Sequence, residues 1–167
     1  MSDNVTKLMR QFVSAAGLKE IDSWVAKYPS DEKQSAVMSA LMVIQQENGY
    51  VTSESLDALA TYLAMPAIAV YEVVSFYTMY ERNPIGRHLI NVCTNISCKL
   101  RNSAEIVSHL EKKLKIKLGE TTKDGRFTLR SVECLGACVH APMMQVNKDY
   151  HENLTPDVVN AVLEQYE

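Results

Sequence analysis

His88-Leu-Ile-Asn-Val-Cys93-Thr-Asn-Ile-Ser-Cys98 and, thirty-five residues further on, Cys134-Leu-Gly-Ala-Cys138 hold all four cysteines of the chain. Apolar residues run directly into the first pair, so His88 to Val92 predicts a strand whose exit loop carries Cys93 and Cys98. Phe127-Thr-Leu-Arg-Ser-Val132 alternates as a second strand and leads into Cys134 and Cys138. Two loops, each presenting two thiols, are what a four-thiolate metal site requires.

Working outward, the segment between the pairs predicts a helix capped by Asn102 or Ser103, with Val107, Leu110 and Leu114 inward and Glu111, Lys112 and Lys113 outward. Asp124-Gly125 marks a turn before the second strand. Met143 to Val146 predicts a further short strand, Asn147 to Asn153 a connection, and Thr155-Pro156 the cap of a last helix with Val159, Val162, Leu163 and Tyr166 on one side. The order strand, helix, strand, strand, helix is that of a small α/β sandwich of thioredoxin type.

Upstream of Asn83-Pro84-Ile85-Gly86 the period is helical throughout. Residues 5 to 14 and 20 to 27 predict short amphipathic helices, the second stopped by Tyr28-Pro29, with Trp24 as a core anchor. Ser30 is the expected cap of the next, with Asp31 and Glu32 in its first turn and Val37, Ala40, Leu41 and Ile44 on one face. Gly49 is expected to end it in left-handed geometry, with Tyr50 folding back onto it. Thr52 or Ser53 then restarts a helix burying Leu56, Leu59, Ala60 and Leu63. Pro66 opens another with Val70, Val73, Val74 and Tyr77 on its stripe. The expected class is α+β, with a helical bundle over residues 1–82 followed by a thioredoxin-like α/β domain over residues 83–167.

Composition narrows the function. In a chain of 167 residues, 47% hydrophobic and 22% charged residues are globular values. A half of about 80 residues buries only about 60% of its unfolded surface, so each half is expected to lean on a neighbour, a metal or a partner. The net charge of −3, with acids and bases interspersed, offers no basic stripe for nucleic acid. The first residues lack the apolar core of a secretory signal, and no run of about 18 apolar residues occurs, so a cytoplasmic location is expected. In a reducing compartment paired cysteines favour metal binding over structural disulfides.

The spacing alone admits iron–sulfur or zinc, since zinc also takes four cysteines separated by about 2–4 residues within a pair. Dithiol exchange chemistry fits poorly, because neither pair is C-x-x-C. For a [2Fe-2S] cluster, Cys93 and Cys98 are expected on one iron and Cys134 and Cys138 on the other. Its charge of about −2 or −3 would be offset by backbone N–H groups, by close approach at Gly136 and Ala137, by the N-terminus of the helix after Cys98, and by Lys99 and Arg101. His140 could replace a thiolate as histidines do in Rieske centres, and Met143 and Met144 could shield the cluster, although surface and core roles are the ordinary ones. His88, His109 and His151 share no spacing that suggests a site. No G-x-G-x-x-G or G-x-x-x-x-G-K-[ST] loop is present, so neither NADH nor flavin is expected to bind this chain.

Cys93-x₄-Cys98 followed by Glu133-Cys-Leu-Gly-Ala-Cys-Val-His-Ala-Pro-Met-Met-Gln-Val-Asn147 closely resembles the thioredoxin-like [2Fe-2S] subunit family of NADH:quinone oxidoreductase, respiratory complex I, known in bacteria as the E subunit. The likeness extends to Pro84-x-Gly-Arg-His88, Glu111-Lys-Lys-Leu114, Thr121-Thr-x-Asp-Gly-Arg-Phe-Thr-Leu129 and Ser75-Phe-Tyr77, and is weakest over residues 1–30. The resemblance implies one [2Fe-2S] cluster on Cys93, Cys98, Cys134 and Cys138, and an electron-carrying subunit without its own active site. It implies docking to a flavoprotein subunit that holds FMN and oxidises NADH, among other peripheral-arm subunits, at the inner face of the cytoplasmic membrane and without insertion into it. Similar subunits serve NAD-linked formate dehydrogenases and the diaphorase part of NAD-reducing hydrogenases, and the motif does not choose among them. A zinc-stapled scaffold is the rival from another functional class.

Overall fold

A computed structural model describes residues 3–166. Contacts divide the chain into two compact units, Met1–Pro84 and Ile85–Glu167.

Among the described residues the first unit contains helices only: α1 (Asp3–Met9), α2 (Ala15–Val25), α3 (Val37–Asn48), α4 (Ser53–Leu63) and α5 (Ala67–Phe76). The α2 helix starts five residues earlier than its apolar pattern predicts, because Ser14 caps it: the Ser14 hydroxyl accepts the Gly17 N–H at 3.0 Å. Ser30 caps nothing. The chain instead enters α3 through a 3₁₀ turn at Lys33–Ala36, so the acidic pair Asp31–Glu32 precedes the helix rather than forming its first turn.

Gly49 ends α3 at φ +81°, as its position predicts, but the apolar residue that turns inward is the buried Val51 and not Tyr50. Thr52 begins α4 with a reciprocal cap, its hydroxyl accepting from Ser55 N at 3.2 Å while Ser55 Oγ accepts from Thr52 N at 3.0 Å. In α5 the stripe Val70 and Val74 is buried, while Tyr77 lies at the C-terminal cap and is exposed. The bundle core gathers Ile21, Leu41, Ile44, Leu56, Leu59 and Leu63 among others, each worth about 1.5–3 kcal/mol on burial.

The second unit is a four-stranded sheet with helices packed against it. Its elements are β1 (His88–Cys93), α6 (Ile96–Leu100), α7 (Ser103–Leu114), β2 (Phe127–Val132), β3 (Met144–Val146), β4 (Asp149–His151) and α8 (Pro156–Gln165). Strand order is β2-β1-β3-β4, with β1 and β2 parallel and the other pairs antiparallel. Parallel neighbours need a crossover, which α7 supplies. Ile90, Val92, Leu129, Met144 and Val146 from the sheet meet Ile106 and Leu110 of α7 and Val159, Val162 and Leu163 of α8 in one core.

Two departures from the sequence pattern matter for the site. The stretch read as a plain connection, Asn147 to Asn153, contains β4, and Cys98, ahead of the expected helix α7, itself lies inside an additional short helix, α6.

Candidate metal centre

The parallel pairing decides where the cysteines go. Cys93 is in register with Val132, so β1 and β2 stop at the same edge of the sheet, and the loops that leave them start side by side. Thr94 ties the first loop to the second strand, its N–H and hydroxyl both donating to the Val132 carbonyl, at 3.0 and 3.3 Å. On the other side, Cys93 N–H donates to the Met143 carbonyl at 3.2 Å.

Within the first loop, Asn95 Oδ1 accepts the Ile96 N–H at 2.6 Å and starts α6, which carries Cys98 back into the interior. Cys93 and Cys98 are both buried, and with Ala141 and Met143 they form a small apolar cluster on which Leu135 and Ala137 of the second loop pack. The loops are therefore in contact. Of the two methionines proposed as shields, Met143 belongs to this cluster and Met144 to the sheet core.

The second loop bends at Gly136, whose φ of +82° is reached without strain only by glycine. Its N–H donates to Cys134 Sγ at 3.4 Å, one of the backbone donors expected to face sulfur. Cys134 and Cys138 are exposed, the latter opening a 3₁₀ turn, Cys138–His140. Residues after β3 hold this loop in place: Tyr150 Oη donates to the Leu135 carbonyl at 2.8 Å, and the Asn153 and Leu154 N–H groups donate to the His140 and Pro142 carbonyls at 2.8 and 3.0 Å. No sequence signal marked Tyr150 as a brace, because β4 is three residues long and largely exposed.

His140 Nδ1 lies 2.7 Å from Glu152 Oε2, a surface contact that gives this side chain a structural partner of its own. Lys99 and Arg101 are exposed; the helix expected after Cys98 is α7, which begins after Asn102, and the short α6 that holds Cys98 precedes it. The scattered histidines stay apart from the cysteines in their contacts: His88 bonds Asn147, His109 bonds Asn160 and His151 bonds Tyr166.

Burial pushes the Cys98 thiol up to about 11, reinforced by its hydrogen bond with Cys93 and by the nearby Cys93 and Cys138, and opposed by a hydrogen bond from the Met143 backbone. Gathering protons or a cationic centre is the physical answer to several sulfurs at one spot. No cysteine is in a disulfide. Among the described residues no three His, Cys, Asp or Glu side chains converge closely enough to hold a metal ion. What fits an iron–sulfur group is the donor set itself, four unbridged soft sulfurs on two touching loops.

The family model of the thioredoxin-like [2Fe-2S] ferredoxin matches residues 21–167. The NADH-quinone oxidoreductase E subunit 2 of Rhizobium meliloti is 45% identical over 148 residues, covering 89% of this chain and 87% of that one. The NADH-quinone oxidoreductase E subunit of Rickettsia prowazekii is 46% identical over 143 residues, covering 85% and 81%. In the crystal structure of an NAD+-reducing [NiFe]-hydrogenase in its air-oxidised state, a chain superposes with a TM-score of 0.67 over 78% of this chain and 22% of its own length. At 22% identity that likeness concerns the fold. With the family model spanning most of the sequence and relatives above 40% identity over most of both lengths, this chain belongs to the thioredoxin-like [2Fe-2S] ferredoxin family.

Proposed function

We propose that this chain is the electron-transfer E subunit of an NADH:quinone oxidoreductase, with Cys93, Cys98, Cys134 and Cys138 as the ligands of its one [2Fe-2S] cluster. The observation that carries the reading is the departure of both cysteine loops from one edge of a parallel strand pair. When bound, the cluster takes up and releases one electron at a potential set by charge, hydrogen bonds to sulfur and solvent exposure. Cys93 and Cys98 serve one iron and Cys134 and Cys138 the other.

The chain's own part is to supply thiolates and balance their charge. Gly136 N–H donates to Cys134 Sγ, and the Met143 backbone hydrogen-bonds Cys98. Ala141, Met143, Leu135 and Ala137 keep water from the buried pair. The electron comes from a flavoprotein subunit that holds FMN and oxidises NADH, and the complex sits at the inner face of the cytoplasmic membrane. None of the helices among the described residues is long and apolar enough to cross a membrane.

Anaerobic purification followed by iron, acid-labile sulfide and zinc analysis tests the cluster. Two irons and two sulfides per chain are expected, and equimolar zinc without sulfide would end the proposal. Replacing each ligand cysteine by serine in turn is expected to abolish or distort the EPR signal of the reduced protein. An unchanged signal in any one variant removes that residue from the ligand set. Co-purification of a flavoprotein together with membrane subunits supports the complex I setting, and a soluble hydrogenase or formate dehydrogenase partner would redirect it.

A further inference from the structure

The loop that carries Cys134 and Cys138 is tied to the segment around β4 at both of its ends. At the far end the ties are main-chain bonds, Asn153 N–H to the His140 carbonyl and Leu154 N–H to the Pro142 carbonyl, together with the contact of His140 and Glu152. At the end nearer Cys134 the tie is a side chain. Tyr150, the central residue of β4, stands opposite Gln145 of β3, and from that edge strand its hydroxyl donates to the Leu135 carbonyl at 2.8 Å.

The oxygen that Tyr150 holds belongs to the same peptide group as the Gly136 N–H, which donates to Cys134 Sγ at 3.4 Å. This peptide is trans. A trans peptide is planar with its oxygen and its hydrogen on opposite sides, so fixing one of them fixes the other. The group also has a second resting place. The Gly136 φ of +82° is the value a type II turn needs at its second central residue, and half a rotation of the preceding peptide gives a type I arrangement with the N–H pointing away. Hydrogen bonds in series polarise one another, so a carbonyl that accepts from a phenol makes its own N–H a stronger donor to sulfur.

An iron–sulfur group gains one negative charge on reduction, and N–H donors to its sulfurs favour that form. From the series Tyr150 Oη–H to Leu135 O and Gly136 N–H to Cys134 Sγ, we infer that Tyr150 is a positioning residue that raises the reduction potential of the cluster. It acts through the Leu135–Gly136 peptide and not as a ligand. The inference rests on the assignment of Cys134 as a ligand made above.

An EPR-monitored redox titration of the full chain, purified anaerobically with its metal, compares the wild type with Tyr150→Phe, which removes only the hydroxyl, and Tyr150→Leu, which removes the ring as well. Loss of one hydrogen bond changes an equilibrium by about twofold or more. At about 59 mV per tenfold for a one-electron couple, the Tyr150→Phe midpoint is expected at least about 18 mV below the wild type, and that of Tyr150→Leu at least as low. Iron release to a chelator, a readout that also serves a weakly loaded variant, is expected to be about twofold or more faster in Tyr150→Phe. A midpoint or a release rate in Tyr150→Phe equal to the wild type, or a fall in Tyr150→Leu alone, would overturn the inference, the last by assigning the effect to packing of the ring. Zinc in place of iron in the wild type would overturn this inference and the ligand assignment together. An unchanged midpoint in a Tyr150→Phe protein that carries iron and sulfide would overturn this inference alone.

Discussion

At the scale of single residues, the four cysteines are of one type in the sequence and of two types in the fold. Cys93 and Cys98 are 3% and 1% exposed, whereas Cys134 and Cys138 are open to solvent. A thiol must ionise and be reached before it is alkylated. In chain stripped of metal, iodoacetamide is therefore expected to modify Cys134 and Cys138 well before Cys93 and Cys98, with Cys98 slowest because its raised pKa leaves little thiolate. Peptide mass mapping over time checks the order, and equal rates at all four would contradict it. Gly86 is a second residue whose role is set by distance. A Cβ there would stand 2.8 Å from the Phe127 carbonyl carbon and 3.0 Å from its nitrogen, both backbone atoms that cannot swing aside. Gly86→Ala is expected to cost about 1–3 kcal/mol, the usual penalty of overpacking, read as a lower midpoint in urea unfolding.

At the scale of elements, caps and periodicity divide what could be read in advance from what could not. Thr52 reads as a cap in sequence and is one, so Thr52→Ala is expected to lower stability by about 1 kcal/mol in denaturant titration, with Thr52→Ser nearly neutral. The strands that launch the cysteine loops were legible because runs of apolar or alternating character lead straight into the cysteines, as in His88 to Val92 and Phe127 to Val132. The three-residue β3 was read within Met143 to Val146, but the five-residue α6 and the three-residue β4 were not. The α6 helix starts where Asn95 Oδ1 accepts the Ile96 N–H and is held by the burial of Cys98, and β4 follows from the turn at Asn147, whose φ of +55° lets Asp149 pair back to Val146. Neither carries enough residues to show a period. Ser30, Asp31 and Glu32 spell a helix start that the 3₁₀ turn pre-empts, and Tyr77 satisfies the stripe of α5 but falls one residue past its end. Local spelling failed where the next segment decided the geometry.

At the scale of the whole molecule, the second unit fastens its last helix through histidines. The His88 ring lies against Phe127 and Tyr166, and Asn147 Nδ2 donates to its Nδ1 at 3.0 Å. The Tyr166 hydroxyl donates to Asp149 Oδ2 at 2.9 Å and so accepts from His151 Nε2 at 3.0 Å. Burial, together with the charges of Arg87 and Arg126, lowers the His88 pKa from the usual 6.5, and burial lowers that of His151 despite Asp149. Because the folded values lie below the unfolded one, the unfolded chain takes up protons first. This stability is intact above about pH 6.5 and is lost as pH falls through the folded values. The melting temperature is expected to drop between about pH 7 and pH 5, and His151→Gln should flatten that slope; a slope unaltered by the substitution would remove His151 from the account. The register of β1 with β2 has a further consequence. Since parallel strands begin both sulfur-bearing loops at one edge, the crossover between them, thirty-five residues from Cys98 to Cys134, can lengthen or shrink on the far side without moving either loop. Insertions in that connection should accumulate over evolutionary time, and a pattern search demanding fixed spacing between the two pairs would overlook cousins that keep the same centre.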